Sequence, residues 1–361
     1  MRKEILTIDN FKCFKHFEIS FPSLTVLVGS NGMGKSTVIQ SLLLMRCAKE
    51  AEKGLVKLNG PYGLALGTNA SVINQTAKAS QIDFTLSDDS GKNLAKLRLK
   101  GDNREERLDL NLVDSYGGIY TKRGLFAEEF YFLSAERTGP RIAQKMDPLS
   151  YIHTGTFGEY CGQILSDKFY KIEKDRRHPS KGTLYIPAQV NAWMNDILPG
   201  VEVTADRSTS MQVCQVKIRN GFTSDFVEST NIGFGISYAL PIVIQGLIAK
   251  KWSYFLVENP EAHLHPAAQT QMGKFLAMLA ERGLRIVVET HSDHLLDGIQ
   301  LYLAEHEKLR KDVAIYYFGI DENRKPEVSA ITYDEQLDYS NWPKGFMDQT
   351  NINYSKLTEL R

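Results

Sequence analysis

The sequence has few cysteines, no excess of charge of either sign and no long hydrophobic run. No Cys-x-x-Cys pair occurs among its 361 residues, and its four cysteines are widely spaced: Cys13, Cys47, Cys161 and Cys214. Such spacing fits reduced thiols in a cytosolic protein better than a disulfide framework. The chain has 43 basic and 43 acidic side chains, which excludes a uniformly basic coat for nucleic acid.

Signals for export or membrane insertion are also missing. Residues Met1 to Glu4 lead into alternating residues and not into an apolar signal core. The most apolar later stretch, Tyr238 to Ala249, contains Pro241 and Gln245 and is too short to span a bilayer. We therefore expect a cytoplasmic protein that does not interact with a membrane.

No heptad pattern, internal repeat or low-complexity tract occurs, so no coiled-coil arm is expected. A hydrophobic content of 42% excludes wholesale disorder, and the length predicts two structural units or one large domain with insertions. The apolar run Leu24 to Val28 predicts a strand that is buried on both faces. Near the other end, two buried strands (252–257 and 284–288) flank an amphipathic helix (269–281). This order predicts an α/β fold with a mostly parallel sheet covered by helices.

The middle of the chain has a different pattern. Alternating residues at 82–86, 94–100 and 108–113 predict an antiparallel β meander. Helices are expected at 160–174 and 187–197, and a further strand at 211–219. We therefore predict the following domains: an α/β core (1–50 and 221–320), an antiparallel β subdomain (51–135), a helical or lid insertion with a strand (136–220), and a C-terminal tail that packs on the core (321–361).

The strongest motif is a glycine-rich loop of the form GxxxxGK[ST] between a buried strand and a helix. Its glycines let backbone N–H groups surround phosphate oxygens, and the start of the helix adds positive potential. Lys35 is expected to contact the β- and γ-phosphates, and the Ser36 hydroxyl to bind Mg²⁺. The predicted nucleotide-binding residues in this loop are Gly29, Ser30, Asn31, Gly32, Gly34, Lys35, Ser36 and Thr37.

Acidic and histidine residues follow the two late strands. Glu258 comes directly after an apolar strand, where a carboxylate is suited to hold Mg²⁺. Two histidine pairs, His263 with His265 and His291 with His294, leave a zinc site as an alternative. A zinc site would leave the phosphate loop unexplained, so we expect His291 to contact a γ-phosphate instead.

The order of the glycine-rich loop, ENPEAHLHP (258–266) and ETHSDHLL (289–296) resembles ABC-type ATPases of the SMC/RecF/OLD kind. In that family these motifs are Walker A, Walker B with the D-loop, and the H-loop. The family's signature motif corresponds to residues 231–237, where Gly233 replaces the serine and Gly235 matches the second glycine. The resemblance implies that this motif completes the site of a partner subunit, so that two chains enclose two Mg·ATP head to tail.

The chain departs from the family at Walker B. Glu258 stands where the family usually has an aspartate. Asn259 stands where the family has the glutamate that activates water, and the amide of Asn259 cannot accept a proton. Glu261 is the candidate substitute, so the predicted catalytic residues are Glu258, Asn259, Glu261 and His291. Slow hydrolysis is therefore expected.

A narrower resemblance involves SAERTGP (134–140) and NWPKGFMDQ (341–349), which are similar to a prokaryotic AAA-family ATPase subfamily with a WPxGF-type tail. Some relatives of that subfamily act in phage defence beside a nuclease that is encoded nearby. The resemblance implies an ATPase that dimerises around Mg·ATP and switches an effector, such as a nuclease, or a DNA-associated complex.

Alternatives remain at this point: a non-hydrolysing, ATP-gated scaffold, and a P-loop kinase or GTPase, which leaves the signature-like turn unexplained. Two basic features are also open. Arg137 and Arg141 either reach phosphate or brace their loop. A basic loop is either a DNA contact or a solvated turn; it comprises Lys174, Arg176, Arg177, His178 and Lys181.

Overall fold

The computed structural model describes residues 3–77, 79–101, 107–117, 124–321 and 326–359. The strands are β1 (Glu4–Phe11), β2 (Phe14–Phe21), β3 (Leu24–Gly29), β4 (Leu55–Lys57), β5 (Gln81–Asp88), β6 (Asn93–Lys100), β7 (Asp109–Gly117), β8 (Tyr131–Leu133), β9 (Gln144–Lys145), β10 (Glu202–Ser208), β11 (Val213–Arg219), β12 (Val227–Glu228), β13 (Tyr254–Glu258), β14 (Arg285–Glu289), β15 (Val313–Ile320) and β16 (Pro326–Ile331). The α-helices are α1 (Lys35–Lys49), α2 (Asn69–Val72), α3 (Cys161–Leu165), α4 (Ile186–Ile197), α5 (Phe234–Ile248), α6 (Pro266–Glu281), α7 (Asp293–Glu305), α8 (Glu307–Arg310) and α9 (Gln349–Glu359).

The chain forms two compact units, which we describe separately. Unit 1 contains residues 1–119, 289–293 and 303–361, and unit 2 contains residues 120–288 and 294–302. The architecture is α/β, as expected from the sequence.

Unit 1 contains a six-stranded antiparallel sheet with the order β2-β1-β5-β6-β7-β4. The three strands predicted from alternation are present as β5, β6 and β7, and on β5 Ile82, Phe84 and Leu86 all point into the core. The sheet also includes β1 and β2, although the sequence predicts residues 1–50 to belong to the α/β core. β1 joins the meander by pairing with β5, with Thr7 opposite Thr85. The partner of β1 lies about 80 residues further along the chain. Alternation within one strand does not indicate which other strand it pairs with.

The parallel part of unit 1 positions the glycine-rich loop. β3 pairs in parallel with β15, and β15 pairs antiparallel with β16. The residues Leu24–Val28 of β3 are all buried, as their continuous apolar run predicts. α1 follows the loop, and its central residues Leu42, Leu43 and Leu44 are in the core.

Unit 2 contains a parallel pair, β8 with β13, and β14 lies beside β13. α6 connects β13 to β14, which is the β-α-β order that the sequence predicted. A smaller antiparallel group of strands forms around β11, which pairs with β9, β10 and β12. α4 packs on α6, where the rings of Trp193 and Phe275 lie 5.4 Å apart.

The prediction of a long helix at 160–174 is wrong, because α3 ends at Leu165. The Asp167 carboxylate accepts hydrogen bonds from the N–H groups of Phe169 and Tyr170, and this local turn competes with helix. Beyond it, the chain extends and pairs with residues 184–186, through Ile172 N–H to the carbonyl of Leu184. Within the described part of the chain, no helix is both long and apolar enough to cross a bilayer.

Candidate nucleotide-binding site

The glycine-rich loop lies between the end of β3 and the start of α1, in unit 1. Gly29 has φ +124°, and a Cβ atom at this position would lie 2.1 Å from the carbonyl oxygen of Phe318 on β15. The same carbonyl accepts a hydrogen bond of 3.0 Å from the N–H group of Ser30. Only glycine fits this close approach of two backbones, so the first glycine of the motif fixes where the loop leaves the sheet.

The start of α1 is built to attract an anion. Its N-cap residue is Gly34, no side chain caps its first N–H groups, and no acidic residue occupies its first turn. The positive end of the helix dipole therefore faces the loop without a side-chain cap and without an acidic residue in the helix's own first turn. A phosphate group fits this arrangement of backbone donors.

Lys35 supplies a buried cation at this helix start. Its side chain is 3% exposed, and its ammonium group donates hydrogen bonds of 2.8 Å to the carbonyl oxygens of Gly29 and Ser30. Burial lowers the pKa of Lys35, and the nearby carboxylate of Glu289 opposes that shift. The ammonium group is thus held beneath the loop, where the P-loop motif requires a charge for phosphate.

The hydroxyl of Ser36 has a partner that the sequence did not lead us to expect. Its Oγ donates a hydrogen bond of 3.0 Å to Oε1 of Glu289, the last residue of β14, and Ser36 itself is exposed. Hydroxyl and carboxylate oxygens are ligands suited to Mg²⁺, so these residues fit the ion that accompanies a nucleotide. Sequence reasoning missed Glu289 as a site residue. The available signal was an acid at the end of a buried strand, which is the same signal that pointed to Glu258.

The segment after Glu289 continues along the same side of unit 1. The N–H group of Thr290 donates to the carbonyl of Leu27 on β3, at 3.0 Å. His291 is exposed, and it lines a cavity of about 300 Å³ together with Ser30, Tyr317 and Phe346. The structure therefore places His291 and the glycine-rich loop around one cavity, which the tail residue Phe346 also lines.

The remaining predicted loop residues lie as follows. Asn31 and Gly32 are exposed at the tip, and Gly32 has φ +76°. Thr37 is buried, and its hydroxyl oxygen lies 3.6 Å from the sulfur of Cys13. Lys12, the residue before this cysteine, donates to the side chain of Gln40 on α1 at 2.7 Å. The turn between β1 and β2 thus borders the first turns of α1.

In unit 2, β13 ends at Glu258, and its carboxylate accepts a hydrogen bond of 3.1 Å from the N–H group of Ala135. Asn259 follows with φ +44°, and its side-chain oxygen Oδ1 is buried without a hydrogen-bond donor among the described residues. Glu261 is half-buried on the same turn. The structure therefore brings Glu258, Asn259 and Glu261 together on one short segment.

Arg137 braces this segment. Its guanidinium donates to the carbonyl oxygens of Glu258 at 2.7 Å and of Asn259 at 2.5 Å, and it lies over the ring of Tyr238. Its side chain is 3% exposed. Burial lowers the pKa of Arg137 to about 10, while Glu261, Tyr238 and Glu258 oppose the shift, so the group is cationic at neutral pH. Of the two alternatives for Arg137, the structure supports bracing of the loop.

The signature-like turn leads into α5. Gly233 is the exposed N-cap of this 15-residue helix, no side chain caps the helix, and a Cβ atom on Gly233 would meet nothing within 4 Å. Gly235 differs, because a Cβ atom there would lie 2.7 Å from the carbonyl oxygen of His263. The ring of His263 in turn contacts Tyr238 edge-on. Close packing within the chain thus accounts for Gly235, whereas Gly233 leaves a helix start open to solvent.

The histidines do not form a zinc site in the described part of the chain, where no group of three or more His, Cys, Asp or Glu side chains is arranged to hold a metal ion. His265 caps α6 by accepting from the N–H group of Ala267. His294 lies 3.8 Å from Asp297. These histidines have local roles instead.

The basic loop is partly structural. Arg176 is fully buried and donates to the carbonyl oxygens of Gly246 and Ala249, at the end of α5. Burial lowers its pKa, which the charge of Asp175 opposes. His178 lies 2.9 Å from Asp196. The exposed members are Lys174, Arg177 and Lys181.

Comparisons with known proteins identify a family and a fold for this chain. The model of the AAA ATPase domain family matches residues 1–138 and 164–296, about three quarters of the chain. The chain is similar in fold to an SMC head bound to the C-terminal winged-helix domain of ScpA, with a TM-score of 0.58, 12% identity, and coverage of 93% of this chain and 99% of that one. It is equally similar to an SMC head domain with an extended coiled coil bound to the C-terminal domain of ScpA from Pyrococcus furiosus, with a TM-score of 0.58, 10% identity and full coverage of both chains. A search of curated proteins found no match.

Proposed function

Because the chain belongs to the AAA ATPase domain family, we propose that it is an ATP-operated switch that forms a head-to-tail homodimer around two Mg·ATP. One observation carries the proposal: the buried ammonium of Lys35 lies beneath a glycine-rich loop, at a start of α1 that no side chain caps. Backbone N–H groups, a helix start and one fixed cation together bind a chain of phosphates.

The dimer follows from the second open helix start. Gly233 is the exposed N-cap of α5, and no side chain caps the N–H groups of the first turn of this helix. We assign them to the γ-phosphate bound by a second copy of the chain. Because ADP lacks this phosphate, ATP binds the dimer better than ADP does and shifts the equilibrium towards it. Within each chain, His291 is assigned to the same phosphate.

The switch hydrolyses ATP slowly. Glu258 is assigned to Mg²⁺ and Glu261 to the attacking water, because the amide of Asn259 cannot take a proton from water. The same amide favours a second candidate function, a scaffold that ATP locks without turnover. Steady phosphate release that is lost in Glu261→Gln would support the ATPase. Release no greater than that of a protein-free control would support the scaffold.

The output of the switch is a separate effector protein, such as a nuclease, or a DNA-associated complex. Support comes from the similarity of residues 134–140 and 341–349 to ATPases that act beside a nuclease in phage defence. It also comes from two SMC heads of similar fold, each solved with a bound ScpA domain. The two SMC heads are examples of a protein partner bound to a head of similar fold.

Lys35→Ala tests the nucleotide site directly. Loss of a charged hydrogen-bond donor is expected to weaken binding of a fluorescent ATP analogue about 10- to 100-fold. Lys57→Ala, which removes an exposed lysine of β4, is the matched control and should bind as the native chain does. Native affinity in Lys35→Ala would overturn the site assignment.

The dimer is tested by measuring the mass of the purified chain in solution with Mg²⁺ alone, with Mg·ATP and with Mg·ADP. A dimer with ATP only is expected, and Lys35→Ala should stay a monomer in all three conditions. A mass that does not change with nucleotide would contradict the dimer switch and favour the scaffold.

A further inference from the structure

The contact between Ser36 and Glu289 joins two distant parts of the sequence at the start of α1. The hydroxyl of Ser36 donates a 3.0 Å hydrogen bond to Oε1 of Glu289, across 253 positions of the chain. The two side chains differ in exposure, since Ser36 is exposed and Glu289 is 7% exposed. A buried carboxylate therefore holds the one hydroxyl that the P-loop motif directs towards a cation.

The direction of this hydrogen bond has a chemical consequence. A serine hydroxyl has one proton to donate and two lone pairs to offer. When the proton points at Glu289, both lone pairs point away from that carboxylate and are available to a metal ion. Glu289 therefore orients Ser36 as a cation ligand, in the way that outer groups orient metal ligands in other proteins.

The negative charge of Glu289 also favours a cation at Ser36. Its carboxylate lies close enough to Lys35 to oppose the lowering of that lysine's pKa by burial. Lys35 gives two of its three N–H donors to the carbonyls of Gly29 and Ser30. The site thus combines a fixed cation for phosphate, Lys35, with a fixed anion beside Ser36, Glu289. A divalent cation that accompanies phosphate is attracted to the carboxylate of Glu289.

We propose that Glu289 belongs to the Mg²⁺ site of this chain, where it accepts the proton of Ser36 and adds one negative charge beside the ion. The inference rests on the proposed nucleotide site and assigns a role to the first residue of the ETHSDHLL segment, for which the sequence predicted none. Glu289 binds no phosphate itself. Its effect is therefore confined to the part of nucleotide affinity that depends on the divalent cation.

The experiment measures the affinity of the full chain for ATP, with a fluorescent analogue, in excess EDTA and across a titration of Mg²⁺. The variants are Glu289→Gln, Ser36→Ala and the double substitution. Glutamine keeps the shape of the side chain and can still accept from Ser36, but it removes the charge. Glu307→Gln is the matched control, because this glutamate of α8 is exposed and outside the loop.

In Glu289→Gln, the Mg²⁺ concentration needed for half-maximal strengthening of ATP binding is expected to rise about 10- to 100-fold. Affinity in EDTA should be unchanged or higher, since a negative charge near the phosphates is gone. The double variant should need more Mg²⁺ than Ser36→Ala alone, because the charge of Glu289 attracts the ion whether or not Ser36 is a ligand. Glu307→Gln should match the native chain.

Two results would overturn the role of Glu289. Native Mg²⁺ dependence in Glu289→Gln would mean that the contact is structural only. An equal loss of affinity in EDTA and in Mg²⁺ would mean that the substitution disturbs the loop itself. Failure of the proposed function is seen separately, as native ATP affinity in Lys35→Ala or as no ATP binding by the native chain.

Discussion

Arg137 fixes the end of β13 by donating a 2.7 Å hydrogen bond to the main-chain carbonyl oxygen of Glu258. A second bond goes to the carbonyl of Asn259, where φ is +44° and the backbone is strained for a non-glycine residue. The forked guanidinium spans both carbonyls, which a single ammonium group cannot do in the same geometry. One buried side chain therefore determines the path of the segment that carries Glu258 and Glu261.

Arg137→Lys should destabilise the chain, although it keeps the charge. One of the two carbonyls loses its charged donor inside the protein, which is expected to cost about 2–3 kcal/mol of unfolding free energy. Urea unfolding measures the loss. Arg141→Lys is the control, because Arg141 is exposed, and it should change stability by less than about 0.5 kcal/mol. Equal stability of the two variants would contradict the bracing role.

Local patterns in the sequence predicted the strand, loop and helix around Lys35, because the residues that form them are consecutive. The contact of Ser36 with Glu289 could not be predicted, since 253 positions separate the two residues. The glycine-rich loop is recognised without Glu289, and the ETHSDHLL segment is recognised without Ser36. The helix expected at 160–174 failed for a local reason. Asp167 satisfies the N–H groups of Phe169 and Tyr170 with its own side chain, which a count of apolar periodicity does not register.

The same limit applies to Arg137. Its residue type was compatible with phosphate binding and with bracing, and only the position of the carbonyls of Glu258 and Asn259 separates the two. The glycines of the signature-like turn are a further case. Gly233 and Gly235 look alike in the sequence, but a Cβ atom clashes at one of them and fits at the other.

This difference predicts opposite results for two serine substitutions. Gly233→Ser should leave the unfolding free energy within about 0.5 kcal/mol of the native value, since φ is −57° and nothing lies within 4 Å of the new Cβ atom. Its hydroxyl also restores a γ-phosphate donor, so the ATP-dependent dimer should form at lower protein concentration. Urea unfolding and solution mass measure the two effects.

Gly235→Ser should destabilise the chain by about 1–3 kcal/mol, because its Cβ atom would lie 2.7 Å from the carbonyl oxygen of His263, which cannot move like a flexible side chain. The ATP-dependent dimer of Gly235→Ser should decrease only in proportion to the fraction of the chain that is unfolded. If Gly233→Ser unfolds more readily than Gly235→Ser, the assignment of the exposed helix start to Gly233 is wrong.

The last prediction uses Cys13, which is exposed at the turn between β1 and β2, with its sulfur 3.6 Å from the hydroxyl oxygen of Thr37. The other three cysteines are buried. Burial, with a smaller contribution from Glu50, raises the pKa of Cys47 to about 12, and burial raises the pKa of Cys161 well above its usual value. Because the thiolate is the species that reacts, one fast thiol per folded chain is expected with a maleimide reagent.

Mg·ATP should slow that reaction, because a nucleotide on the loop covers the first turn of α1 beside Cys13. Protection should require concentrations near the dissociation constant of ATP and should disappear in Lys35→Ala, while Cys13→Ser should show no fast thiol. Denaturant should expose all four cysteines, which calibrates the count. Protection that persists in Lys35→Ala would place the nucleotide elsewhere, and a second fast thiol in the folded chain would contradict the burial of Cys47, Cys161 or Cys214.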